Sequence, residues 1–214
     1  MTQYQHLAEF KTIEGHWNDR NLFRPIIQDI YAKYQPKTML EIGFNIGYSA
    51  SMWLEFDPDN QLKLTSVDIG IHADTVKAAE AVKKLHGDRF EFILCDSRKV
   101  KNQLTDKLFD IAFVDGDHSA DGVRSDIQLC LDLGIPYLVI DDWHEIIEDR
   151  HVNSIRSTCE DVFKDKISLI KVYDLEGIIP ETTKVALYKN DTIHTEKNTL
   201  SRQLSFLSPK SWRD

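Results

Sequence analysis

Five short apolar runs recur along this chain, and each closes on an acidic residue. Thr38–Ile42 carries Glu41, Leu62–Val67 runs into Asp68, and Phe90–Cys95 runs into Asp96. Phe109–Val114 meets Asp115, and Tyr137–Ile140 meets Asp141-Asp142. Runs of this length bounded by turn residues read as buried strands, and helix-like stripes lie between several of them. The alternation predicts an α/β fold, a Rossmann-like doubly wound sheet of about seven strands. In a parallel sheet all these strand ends share one edge. At least five acidic positions are therefore expected to face one crevice, outside the carboxyl ends of the strands.

Helical spacing covers Phe23–Tyr34, with Pro25 near its start and Pro36 after its end. Tyr48, Met52, Trp53 and Phe56 form one face of a second helix. Asp74–Leu85 reads as a third, closed by Gly87. Ser119 is placed to cap a fourth, which carries Val123, Ile127, Cys130 and Leu131 and ends at Gly134. Val152, Ile155, Cys159 and Val162 stripe a fifth. The runs Ile167–Tyr173 and Lys184–Lys189 have no helix between them, only a loop with Gly177 and Pro180. They are expected to form an antiparallel C-terminal hairpin on the mostly parallel sheet. Residues 1–22 read as an arm or cap, 23–189 as the domain, and 190–214, polar apart from Leu204–Leu207 and Trp212, as a tail.

Composition narrows the function. A chain of 214 residues with 42% hydrophobic content can bury a substantial core. The net charge of −9 argues against binding a phosphate backbone, so no nucleic-acid partner is expected. No apolar run approaches membrane-spanning length, and Met1–Phe10 lacks a signal-peptide pattern. Cys95, Cys130 and Cys159 are odd in number and widely spaced, like reduced core residues. A cytoplasmic setting with a small-molecule substrate is the expectation, and a homo-oligomer is left open.

The segment between the first strand and the second helix narrows the ligand. It reads Glu41-Ile42-Gly43-Phe44-Asn45-Ile46-Gly47-Tyr48-Ser49, a Gly-x-x-x-Gly turn. Asp68 follows Gly47 by about twenty residues, where an acidic side chain accepts ribose hydroxyls. Asn45 stands where a dinucleotide site has its middle glycine, so close pyrophosphate approach is disfavoured. No Gly-Lys-Ser/Thr follows, which excludes a P-loop.

Together with Ser66-Val67-Asp68-Ile69 and Cys95-Asp96-Ser97, this turn resembles the successive motifs of class I S-adenosylmethionine-dependent methyltransferases. Phe113-Val114-Asp115-Gly116-Asp117-His118-Ser119 and Val139-Ile140-Asp141-Asp142-Trp143-His144 resemble the metal-dependent small-molecule O-methyltransferases, of the catechol and macrolide-sugar types. The resemblance spans roughly residues 37–189. It implies that Gly43, Phe44, Asn45, Gly47, Tyr48 and Ser49 lie under the methionine part of S-adenosylmethionine, with Glu41 orienting it. It also implies that Asp68 and Ile69 meet the ribose side, that Asp96 and Ser97 frame the adenine, and that Asp115 borders the cofactor. Finally, it places Mg²⁺ on Asp115, Asp141 and Asp142.

His118 follows Asp115 by three residues and titrates near neutrality, so it is a candidate for taking the acceptor hydroxyl's proton. The alternative is that it supports the helix starting at Ser119. Asp141 and Asp142 otherwise read as a solvated strand end or a helix cap. His144 reads as a substrate contact or a surface residue, and Asp117 and Asp121 as helix-start carboxylates. His72, His86 and His151 show no metal spacing, while His16-Trp17 reads as a lid or as packing. Three competing readings stay open: another substrate class for the same cofactor, a non-catalytic binding module of the same fold, and a nicotinamide-dependent oxidoreductase.

Overall fold

The computed structural model describes residues 4–10, 20–143, 154–174 and 184–193. His16-Trp17, His144, His151, the loop with Gly177 and Pro180, Leu204–Leu207 and Trp212 lie outside the described residues. Seven strands form one sheet: β1 (Thr38–Ile42), β2 (Lys63–Asp68), β3 (Phe90–Leu94), β4 (Ile111–Val114), β5 (Tyr137–Ile140), β6 (Ile167–Asp174) and β7 (Lys184–Asn190). Their order across the sheet is β3-β2-β1-β4-β5-β7-β6. β1 to β5 are parallel, whereas β7 runs antiparallel to β5 and β6 antiparallel to β7. The chain walks outward from β1 to β3, then returns to lay β4 on the other side of β1. That reversal opens the crevice in which such sheets bind ligands.

The helices are α1 (Arg20–Tyr34), α2 (Tyr48–Phe56), α3 (Thr75–His86), α4 (Lys101–Leu104), α5 (Ala120–Asp132) and α6 (Ser154–Ser157). Side-chain alternation along the central strands builds two cores. Met39, Ile111, Phe113 and Val139 face α1, α2 and α3, with Phe23, Ile27 and Trp53. Leu40, Ile42, Ala112, Val114, Leu138 and Ile140 face α5, with Val123, Ile127 and Cys130. Both layers are needed because a central parallel strand is apolar on both faces.

Several boundaries differ from the expectations, for physical reasons. α1 begins at Arg20, so Pro25 sits inside it, which removes one backbone hydrogen bond. Tyr4 and Leu7, read as part of a polar arm, are buried in the same core as Phe23. After α6 the chain widens into a π-turn over Thr158–Val162. The wider turn takes Val162, expected on the buried stripe, out to 44% exposure, and Phe163 is buried instead. Among the described residues no helix is long and apolar enough to cross a membrane. The three cysteines are free.

Candidate active site

The turn after β1 is built from left-handed backbone. Gly43 has φ +92°, Gly47 +84°, and Asn45 +52°. Asparagine tolerates that region better than most side chains, so it stands in for the middle glycine. Gly43 is needed for space as well: a Cβ there would lie 1.9 Å from the Asp115 carbonyl oxygen. The end of β4 thus packs directly on the turn, and the Asp115 amide donates to the Ile42 carbonyl at 2.8 Å.

Asp68 stitches the turn to β2. Its Oδ2 accepts the Phe44 and Asn45 amides at 2.8 and 2.9 Å, and its Oδ1 accepts the Gly70 amide at 2.6 Å. Three of the roughly four acceptor directions of a carboxylate are then taken, leaving about one for a ribose hydroxyl. Ile69 follows at 54% exposure, and Ile71, Val76 and Leu94 are exposed as well.

Glu41 does not reach the crevice, contrary to the expectation for the strand-end carboxylates. It lies within β1 on the Met39 side, facing α2, and is fully buried. The Ser49 hydroxyl donates to its Oε1 at 2.6 Å, and the Ser66 hydroxyl donates to Oε2. Burial pushes its pKa up to about 8; the two serines pull down, and Asp115 and Asp68 push up. At neutral pH Glu41 is a neutral acid that ties α2 to β2 beneath the turn.

Asp96 is also committed. It accepts the Arg98 amide at 3.0 Å and holds the Arg98 guanidinium through both oxygens at 2.8–3.2 Å. That ion pair keeps its pKa below the usual carboxylate range. Burial pushes the Asp126 carboxyl of α5 up to about 6, against the pull of a hydrogen bond from Ser97.

At the ends of β4 and β5, three side chains converge. His118 Nε2 lies 3.3 Å from Asp115 Oδ1, and its Nδ1 lies 3.4 Å from Asp142 Oδ2. One ligand atom from each of Asp115, His118 and Asp142 falls within 4.8 Å of the other two. Asp142 reaches in from a left-handed backbone, φ +49°. Behind it, Trp143 is clamped by β7: its amide donates to the Lys184 carbonyl and its indole to the Tyr188 hydroxyl, both at 2.9 Å. Asp141, expected as a metal ligand, is outside this cluster. It is buried and lines a small cavity with Asp117, His118 and Asp126. His118 is held protonated well past neutrality. The Asp115 hydrogen bond is the largest cause, with charge from Asp115 and Asp142 adding to it, and its pKa is pushed up to about 9. Ser119 caps α5 as expected, its hydroxyl accepting the Gly122 amide at 3.1 Å.

The residues present fit both groups that the sequence resemblance implies. The open glycine turn and the remaining Asp68 acceptor suit a nucleoside-bearing cofactor. Two carboxylates and an imidazole suit a divalent cation. Asp126 was missed by the sequence reading. Its position one helical turn beyond Val123 and Gly122 on the buried side of α5 was the available signal.

Residues 40–143 match the family model described as a methyltransferase domain. That stretch is similar to methyltransferase domains. Solved structures share this fold across most of the chain's length. The Podospora anserina methyltransferase PaMTH1, with bound S-adenosylhomocysteine, is 20% identical. It aligns over 78% of this chain and 76% of its own, with a TM-score of 0.56. A Bacillus cereus O-methyltransferase with the same ligand is 16% identical over 77% and 79%, TM-score 0.60. TomG of Streptomyces achromogenes, an O-methyltransferase in tomaymycin synthesis, is 16% identical over 88% and 95%, TM-score 0.59. No curated protein sequence matches the chain.

Proposed function

We propose that this protein is an S-adenosylmethionine-dependent methyltransferase that moves the methyl group to a hydroxyl oxygen of a small molecule, assisted by a divalent cation such as Mg²⁺. One observation carries the reading. The Asp115–His118–Asp142 cluster sits against the glycine turn, with the Asp115 carbonyl packed on Gly43. Acceptor and methyl donor would meet across that contact.

The chain's own residues divide the work. Gly43 and Gly47 keep the turn free of side chains, and Asp68 holds its amides while offering an acceptor to a ribose. Asp115 and Asp142 supply anionic oxygens that orient an acceptor or an ion beside the turn. S-adenosylmethionine supplies a methyl group on a sulfonium. A divalent cation supplies positive charge that favours the ionised form of a hydroxyl. Most of the rate then comes from alignment. The acidic surface and the small acceptor corner favour a sugar or phenol over a nucleic acid.

A second reading keeps the methyl donor and omits the metal. His118 already bridges both carboxylates, as a positioned acid–base imidazole would. Methyl-labelled S-adenosylmethionine, assayed against phenols, catechols and nucleotide sugars with and without chelator, decides between them. Loss of transfer on chelation, restored by added cation, supports the metal reading; transfer unchanged by chelator supports the second. Failure of the protein to bind S-adenosylhomocysteine in calorimetry would refute both.

A further inference from the structure

We propose that His6 and His86 form an acid-released latch that fastens the N-terminal segment Tyr4–Phe10 onto α2 and α3. The latch stands apart from the methyl-transfer reading, because neither histidine belongs to the glycine turn or to the Asp115–His118–Asp142 cluster.

Leu7, fully buried, and Tyr4, 3% exposed, anchor the segment in the core beside α1, α2 and α3. Between them, His6 Nε2 lies 3.1 Å from the hydroxyl of buried Ser51 on α2. The His6 ring meets the ring of His86, the last residue of α3, edge to face with centroids 6.4 Å apart. Arg89 fixes the protonation state of His86. Its guanidinium lies 3.2 Å from His86 Nδ1. A guanidinium only donates, so Nδ1 accepts and the imidazole proton sits on Nε2. That Nε2 is buried without a hydrogen-bond partner. The closed latch therefore requires a neutral His86. Protonation would turn an N–H of Nδ1 toward the N–H groups of Arg89, break their bond and bring two cations together.

The surroundings do not relieve that conflict. Arg89 is held in place, donating to the Leu54 carbonyl at 3.2 Å and lying 3.6 Å from Asp57 Oδ2. Asp57, just past α2, is also engaged with the Asp59 and Leu62 amides. His86 faces His6 from the N-terminal segment and Arg89 from the turn Gly87–Arg89. On α3 itself, Lys83 donates to the Phe90 carbonyl at 2.9 Å and lies 3.8 Å from Asp88. Burial, then the charge of Arg89, then that of His6 lower the His86 pKa from 6.5 to about 4. Burial lowers that of His6 as well. A group whose closed-state pKa is depressed contributes fully above its free value, here 6.5, and that contribution is lost as the pH falls toward the closed-state value. Acid thus charges the imidazoles beside Arg89 and drives the segment off. Tyr4 packs on Tyr48 with ring centroids 5.4 Å apart, and the Ser51 amide donates to the Gly47 carbonyl at 3.0 Å. Release uncovers the helix turn that follows the glycine turn.

The test is hydrogen exchange on the full chain without added ligand, at pH 7.5 and pH 5, corrected for the intrinsic pH dependence of exchange. With a free imidazole in the open state, opening would rise about thirtyfold between these values. Arg89 stays beside His86 after release, which lowers the expected rise for Tyr4–Phe10 to about tenfold. The strands Thr38–Ile42 and Ile111–Val114 should stay within about twofold. His86→Gln, which accepts from Arg89 and does not titrate, should lose the acid response. A rise below about twofold in Tyr4–Phe10, an equal rise in the two strands, an acid response that persists in His86→Gln, or unprotected exchange of the segment at pH 7.5 would each overturn the latch. Long-range ¹H–¹⁵N spectra of the wild type at pH 7.5 check the closed state without a substitution. His86 Nδ1 is expected to carry no proton, and a protonated Nδ1 would overturn the proposal.

Discussion

Replacing Glu41 with Gln should change how stability depends on pH, and the structure gives the sign and the scale. The folded protein keeps the Glu41 proton up to about pH 8, whereas an unfolded carboxyl loses it near 4.5. A group whose folded pKa is raised stabilises fully below the unfolded value, and that contribution disappears as the pH climbs through the folded value. Each pH unit across that span carries about 1.4 kcal/mol, so the whole span carries about 5 kcal/mol. Relaxation and water entry around an ionised Glu41 reduce this, so a loss of about 2–5 kcal/mol between pH 5 and pH 9 is expected. In a protein of this size that corresponds to roughly 5–15 °C in Tm. Gln has the same shape, can still meet Ser49 and Ser66, and does not titrate. Thermal unfolding of cofactor-free wild type and Glu41→Gln, scanned from pH 5 to pH 9, should show the variant gaining on wild type as the pH rises. Groups common to both proteins cancel in the difference. A Tm gap constant to about 2 °C over that range would refute the buried, neutral Glu41.

Two further outcomes follow from the same region. Gly43→Ala drives a Cβ into the Asp115 backbone carbonyl at 1.9 Å, while Gly47→Ala meets a side chain, the Phe44 ring, at 2.5 Å. The first should lose about 2–5 kcal/mol and S-adenosylhomocysteine binding, the second clearly less, and equal melting temperatures would contradict this ordering. In the metal-free protein, the His118 imidazole resonances should titrate near pH 9 and fall toward 6.5 in Asp115→Asn, because Asp115 is the main cause of the shift. A wild-type midpoint below 7 would refute the bridge.

The layout was legible in the sequence because it depends on local pattern. Thr38–Ile42 and Tyr137–Ile140 are strands at the expected bounds, and Ser119 caps α5. Apolar runs and cap chemistry act over a few residues, which a sequence displays directly. The partners of the acidic side chains were not legible. Glu41 finds Ser66 across the β1–β2 pair, and His118 finds Asp142 across the β4–β5 ends. Asp96 finds Arg98 two residues on, but a loop residue carries no periodicity to announce that. Pleat alternation could have placed Glu41 correctly, since it shares a face with Met39 and therefore points to α2. Four-residue α4 was missed because one helical turn shows no stripe. That Asp142 rather than Asp141 meets His118 was not legible, because chain order does not say which neighbouring carboxylate turns inward at a left-handed residue such as Asp142.

The insertion of β7 between β5 and β6 has a consequence for how the protein is made. β5 carries the chain into Asp142, yet its outer edge is covered only by β7, which starts at Lys184. During synthesis the glycine turn and the first four strands leave the ribosome well before that cover exists. Until β7 arrives, β5 is an exposed edge, open to pairing with other chains, and Trp143 lacks the Lys184 and Tyr188 partners that hold it next to Asp142. The glycine-turn half of the sheet can therefore be assembled early, while the corner around Asp142 is completed last, by residues from a much later stretch of the chain.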